Sequence, residues 1–200
     1  MTTQTKETQT QLSSQDAYQI LVDGNKRFVE NKKASRDLPE QVQQTSSGQY
    51  PFAAVLSCID SRVPAEIVFD QGIGDIFSAR VAGNIINEDI LGSIEYACKV
   101  AGSKIVVVMG HTKCGAVTAA CQHVELGNIT ALLSKIKPAV EAIQPTAEQS
   151  SIEEVSVKNV QNSIDAIKEK SPILREMEEN NEIQIVGAIY AVETGKVEFL

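Results

Sequence analysis

The chain has 200 residues, 42% of them hydrophobic, which suits one globular domain or one core domain with arms. Its net charge of −8, with basic residues scattered apart from Lys32-Lys33, excludes a nucleic-acid surface and argues against a membrane-surface protein. No stretch reaches the roughly 18 apolar residues that span a bilayer, and the polar start MTTQTKETQTQLSS lacks the apolar core of a secretory signal, so a cytoplasmic location is expected.

Residues 1–13 are dominated by Thr and Gln with no apolar repeat, and are expected to be a disordered tail. From Ser14, the residues Ala17, Ile20, Leu21, Phe28 and Val29 recur at roughly helical spacing, with Ser13 or Ser14 as cap and Gly24 weakening the middle. DLPEQVQQTSSGQ predicts a second short helix from near Pro39, completing an N-terminal helical arm over 14–48. From 49 to 200 the pattern changes. FAAVLS, DIFSARV, KIVVVMG and EIQIVGAIY are short, β-branched apolar runs separated mostly by helical stretches. One such stretch carries Ile90, Leu91, Ile94, Ala97, Cys98 and Ala101 on one face, with Asn87 to cap it and Gly102 to close it. Residues 129–181 read as helical, with a loop near QPTAEQSS. The last strand is followed by ETG and then KVEFL, a hairpin signal. These runs predict an α/β fold: a mainly parallel sheet of about four strands plus a C-terminal antiparallel edge strand, covered by helices.

Chemistry concentrates at the ends of two predicted strands. The first, AVLSCIDSRVP, brings Cys58, Asp60 and Arg62 at alternate positions; an extended segment puts Cys58 and Asp60 on one side. The other, VVVMGHTKCGAV, runs from strand through Gly110 to His111 and Cys114, with a helix from Gly115. In open α/β sheets ligands bind beyond the carboxyl ends of strands. If the two strands are neighbours, Cys58, Asp60, His111 and Cys114 converge, and two thiolates, an imidazole and an oxygen donor make a tetrahedral zinc shell. Cys114 would start a helix, where the backbone dipole favours thiolate. The same residues also admit plainer readings: a buried thiol at Cys58, a turn hydrogen bond at His111, a structural ion pair between Asp60 and Arg62. Cys98 and Cys121 fit apolar helix faces and read as core packing.

Taken together and in this order, CIDSRVPAE, GDIFSARVAGN, SIEYA and VVVMGHTKCGAV resemble the β-class carbonic anhydrases, over roughly residues 14–200 and most strongly from Gln49 to Val117. The resemblance implies one Zn2+ per chain held by Cys58, His111 and Cys114, with Asp60 a possible fourth ligand in a closed state. It implies a catalytic dyad of Asp60 and Arg62. Its substrate-binding residues fall on Gln49, Phe77, Ala82, Tyr96 and the Gly115 N–H. It also implies a homodimer or dimer of dimers, with N-terminal helices reaching to a partner and the pocket built at the interface. Two departures stand out. Ala191 follows Tyr190 where an acidic residue is expected, and Val55 stands where some relatives carry the Trp of a second, inhibitory bicarbonate site, although Arg80 remains.

The implied activity is reversible hydration of carbon dioxide to bicarbonate and a proton. Zinc lowers the pKa of a bound water from about 15.7 towards 7, and the resulting hydroxide attacks CO2 with the dyad's help. Two alternatives use the same ligands. One is a zinc-hydroxide hydrolase of carbonyl sulfide or carbon disulfide; the other is a non-catalytic zinc-stabilised binding module, against which the presence of both Asp60 and Arg62 weighs.

Overall fold

The computed structural model describes residues 3–200 and is built on a five-stranded sheet. In chain order the strands are β1 (Ala53–Ser57), β2 (Ile76–Arg80), β3 (Ile105–His111), β4 (Gln184–Tyr190) and β5 (Val197–Phe199), and their spatial order is β2-β1-β3-β4-β5. All pairings are parallel except β4 with β5, as the hairpin signal requires. After β1 the chain crosses to one side for β2 and returns to the other for β3. The order therefore reverses at the β1–β3 junction, where the carboxyl ends of such a sheet open a crevice.

Every residue of β1 and β3 is buried, and that accounts for runs with no polar alternation. Val55, Ile105, Val107 and Met109 face one layer with Ala17, Leu21, Val68 and Phe69. Leu56, Val106 and Val108 face the other, with Ile94, Cys98, Val160, Ile167 and Leu174. The helices are α1 (Lys6–Gln11), α2 (Ser14–Val29), α3 (Leu38–Thr45), α4 (Ala65–Val68), α5 (Glu88–Glu95), α6 (Gly115–Cys121), α7 (Gly127–Leu133), α8 (Lys137–Ile143), α9 (Gln149–Lys170) and α10 (Pro172–Glu179); α6, α7 and α8 gather a third cluster around Val117, Leu133 and Val140, beside Cys58 and Cys114. Local chemistry sets their starts. Ser13 and Asp16 form a capping box on α2, Asp37 caps α3, and Asn87 Oδ1 accepts the Ile90 N–H at 2.8 Å to open α5. After α5 the chain widens into a π turn, Tyr96–Val100, and leaves it through Gly102 at φ +87.

Two expectations are corrected. The segment read as a disordered tail contains α1, because Thr5 forms a capping box and Gln9 is buried. The Gln9 amide donates to the carbonyls of Pro51 (2.7 Å) and Ala101 (2.8 Å), long-range contacts that composition does not reveal. Met1 and Thr2, also in that tail, lie outside the described residues. The stripe of α2, expected to meet a partner, instead packs on its own sheet: Ala17 and Leu21 are fully buried and Ile20 and Phe28 lie against the same cluster, while Val29 is exposed. Polar groups fix this docking. Asn25 donates to Val68 O and Gly195 O and accepts the Val197 N–H at 2.8 Å, tying α2 to α4 and to β5. Asp70, 4% exposed and at φ +47, takes Arg27 and Arg36 at 2.6 Å each and the Ala34 N–H at 3.1 Å.

Gly24 also has a reason. A Cβ at that position would lie 1.9 Å from the Phe69 carbonyl oxygen and 2.8 Å from its carbon, so only glycine lets α2 cross the end of α4 this closely. Gly24→Ala is therefore expected to destabilise the fold by about 3 kcal/mol through overpacking against backbone. An unchanged urea midpoint would show that α2 is free to move away.

Candidate metal centre

β1 and β3 are adjacent, with Ser57 paired to Met109, so the residues that follow each strand meet at the crevice. Cys58, His111 and Cys114 come together there, their ligand atoms all within 4.8 Å of one another and all three side chains buried. The sequence expectation that these residues converge depended on that pairing. His111 is wholly buried, and its Nδ1 lies 2.8 Å from the Thr112 carbonyl. A carbonyl only accepts, so Nδ1 carries the proton and Nε2 presents a lone pair towards the two sulfurs. That Nε2 has no hydrogen-bond partner among the described residues. A buried acceptor left unpaired is costly, and a cation between it and two thiolates removes the deficit. Two sulfurs and one imidazole suit a borderline-soft ion such as zinc, and a ligating histidine whose other nitrogen donates to a carbonyl is the usual second contact of such sites.

The two thiols ionise as a unit. The bond to Cys114 holds Cys58 well below the ordinary thiol range, aided by the Gly83 N–H, 3.4 Å from the sulfur, against the opposing effect of burial. The same bond, with burial, pushes Cys114 up, while the Ala116 and Val117 N–H groups at the start of α6 work in the opposite direction.

Asp60 lies beside this cluster, its Oδ2 4.0 Å from His111 Nε2. Arg62 grips it with Nε on Oδ1 (2.9 Å), Nη2 on Oδ2 (2.8 Å) and its backbone N–H on Oδ1 (2.9 Å). This bidentate bond to Arg62 is the main reason the Asp60 carboxyl is lowered to about 2, despite the cost of its partial burial. Arg62 Nη2 also donates to the Lys113 carbonyl at 3.2 Å, linking the dyad to the loop that carries Cys114.

The expected substrate residues do not gather in one place. Gly115 follows Cys114, and a Cβ there would meet nothing within 4 Å, so space is open beside the cluster. Ala82 precedes Gly83, whose N–H bonds Cys58. Gln49 precedes β1, at the end of the strand opposite Cys58, and is exposed. Phe77 pairs with Ala54, four residues before Cys58 and hence about 13 Å back along the strand. It meets Tyr96 edge to face at 6.3 Å, in a groove on the β2 side that none of the three ligands lines. A single pocket of all five residues within one chain is therefore ruled out by the strand geometry.

Sequence reading missed the residues that hold the centre in shape. Arg80, noted only as a remnant of a second site, donates to the Cys58 carbonyl at 3.0 Å and the Asp60 carbonyl at 2.6 Å. Its position at the carboxyl end of β2, opposite Ser57, was the available signal. Gly83, at φ +67, turns its N–H onto Cys58, and its carbonyl accepts from Asn159 at 2.8 Å; Ser163 supports the next carbonyl, that of Asn84, at 3.1 Å. Ala191 lines a cavity with His111 and Thr112. Its backbone closes the β4–β5 turn.

Comparison with known proteins agrees with this architecture. Residues 53–197 match the profile of the family described as carbonic anhydrase. "Carbonic anhydrase 2" of Mycobacterium tuberculosis is 33% identical over 193 residues, covering 90% of this chain and 89% of that protein. The carbonic anhydrase of Mycolicibacterium smegmatis is 35% identical over 190 residues, covering 91% of each. Among solved structures, a β-carbonic anhydrase of Aspergillus fumigatus superposes with TM-score 0.74 at 30% identity, over 92% of this chain and 91% of that one. A tetrameric β-carbonic anhydrase of Sordaria macrospora shares the fold with TM-score 0.75 at 22% identity, over 92% of this chain and 97% of that one. With its sheet, its Cys-His-Cys cluster and these relatives in agreement, this chain belongs to the β class of the carbonic anhydrases.

Proposed function

We propose that the protein is a zinc-dependent enzyme for the reversible hydration of carbon dioxide to bicarbonate and a proton. The observation that carries this reading is the unpaired, buried Nε2 of His111, set between two thiols and next to a carboxylate that an arginine holds ionised. Cys58, His111 and Cys114 would hold the zinc, leaving one position for a small ligand. When bound, zinc supplies a Lewis acid that makes water a nucleophile near neutral pH.

The chain's own residues account for the rest. Asp60, charged down to a pH of about 2, accepts a proton in a hydrogen bond from the reacting water and so orients a lone pair at the substrate. Arg62 fixes the carboxylate's direction. It also offers a bidentate partner that competes with the cation for Asp60, which keeps the fourth position available. The Gly115 N–H, beside open space, can donate to an oxygen that gains charge. Gln49, Phe77 and Tyr96 lie away from their own chain's cluster, so in this reading they complete the pocket of a second copy. Tyr96 is 52% exposed, and Ile59 and Ile67 are also exposed, as residues covered in a dimer would be in an isolated chain.

Three outcomes test this reading. Purified protein should contain one zinc per chain with two sulfur ligands by zinc-edge absorption, and stopped-flow assay should show CO2 hydration. An all-oxygen shell, or turnover of carbonyl sulfide without CO2 hydration, would displace it. Arg62→Ala should retain zinc yet lose most activity, by about 10²-fold as for loss of a group that positions a proton acceptor. Near wild-type turnover with an unchanged zinc spectrum would reduce the pair to a structural role. Light scattering at micromolar concentration should give a dimer or dimer of dimers, and a fully active monomer would refute the shared pocket.

A further inference from the structure

We infer that Glu193, in the turn between β4 and β5, is a positioning residue for the metal-ligand loop and through it for the Asp60–Arg62 dyad; this rests on the reading of the centre as a zinc site. The loop His111-Thr112-Lys113-Cys114 must reverse direction within two residues to return Cys114 to Cys58. It does so with Lys113 at φ +54, a left-handed conformation that a lysine disfavours and that something must hold. Glu193 supplies the hold. Its Oε1 takes Lys113 Nζ at 2.7 Å and its Oε2 accepts the Thr112 hydroxyl at 2.8 Å. That hydroxyl in turn accepts the Val192 N–H at 3.0 Å, and the Thr112 N–H bonds the Tyr190 carbonyl at 3.0 Å.

An isolated ion pair with both partners about half exposed would count for little. Here the carboxylate is shared by two consecutive loop residues and the network ends on backbone at each side, so it fixes the loop's shape. The same bonds hold the Glu193 carboxyl at about 2, Lys113 first and Thr112 next, so the clamp stays ionised. The consequence reaches the dyad through the Lys113 carbonyl, which accepts from Arg62 Nη2, the nitrogen that also grips Asp60 Oδ2. Turn, ligand loop and dyad form one connected chain of contacts, although Glu193 bonds neither a ligand nor Arg62.

Full-length Glu193→Ala and Glu193→Gln, loaded with zinc or cobalt(II), provide the test. Glu193→Ala is expected to lose zinc to a chelator about ten-fold faster, to show an altered cobalt absorption spectrum, and to lose about ten-fold in kcat/KM for CO2 hydration. Glu193→Gln, which still accepts the Thr112 hydroxyl, should fall between it and wild type. Unchanged zinc release and cobalt spectrum in Glu193→Ala would overturn the inference, whatever happens to its melting temperature. If that variant does not fold, Lys113→Ala and Thr112→Val each remove half of the clamp, and wild-type release and spectra in both would overturn it equally. A wild-type protein that binds zinc through two sulfurs but does not hydrate CO2 refutes the proposed activity and leaves the zinc-release comparison decisive. One that binds no zinc refutes both.

Discussion

Parallel pairing of β1 with β3 places two short chain segments, more than fifty residues apart in sequence, side by side at the same end of the sheet. Everything chemical follows from that register. Cys58 leaves β1 just as His111 ends β3, and the next turn brings Cys114 back to both. A one-residue slip in either strand would turn its side chains to the opposite face and disperse the cluster. Both strands are sealed on both faces by helices, and the ligand-bearing end of β1 is held in place by Arg80 and Gly83.

Charge at the crevice is arranged to resist its own collapse. A carboxylate 4.0 Å from a histidine nitrogen that could hold a metal would have every electrostatic reason to join a cation placed there. Arg62 counters by offering two parallel N–H bonds in a planar fork, the geometry a carboxylate prefers and a lysine could not supply. Around this pair, Arg80 ties down the carbonyls of Cys58 and Asp60, and Lys113 O receives Arg62. The acidic chain thus places Arg62 and Arg80 where a local field matters, which overall charge does not reveal.

The supporting shell is drawn from remote parts of the chain. Asn159 and Ser163 on α9 satisfy the turn that aims Gly83 at Cys58, and the β4–β5 turn braces the loop between His111 and Cys114. These are polar groups whose individual bonds are modest. Their effect is to hold donors and acceptors at fixed places in a centre where displacement by a fraction of an ångström alters function.

The sequence by itself determined the strand and helix pattern, the antiparallel final strand and the reactive residues at two strand ends, because periodicity and residue chemistry are local properties. It also carried the resemblance that identified the family. Only the tertiary structure decided that α1 forms and that α2 docks on its own sheet. The reasons are long-range: Gln9 reaches two carbonyls far along the chain, and Asn25 and Asp70 collect partners from distant segments. Likewise, it separated Phe77 and Tyr96 from Cys58, since distance along a strand is fixed by register and not by motif. Thr112, Lys113 and Glu193 carried no signal as single residues; their meaning arises where a turn after β4 meets a loop after β3, and only folding brings those two loops together.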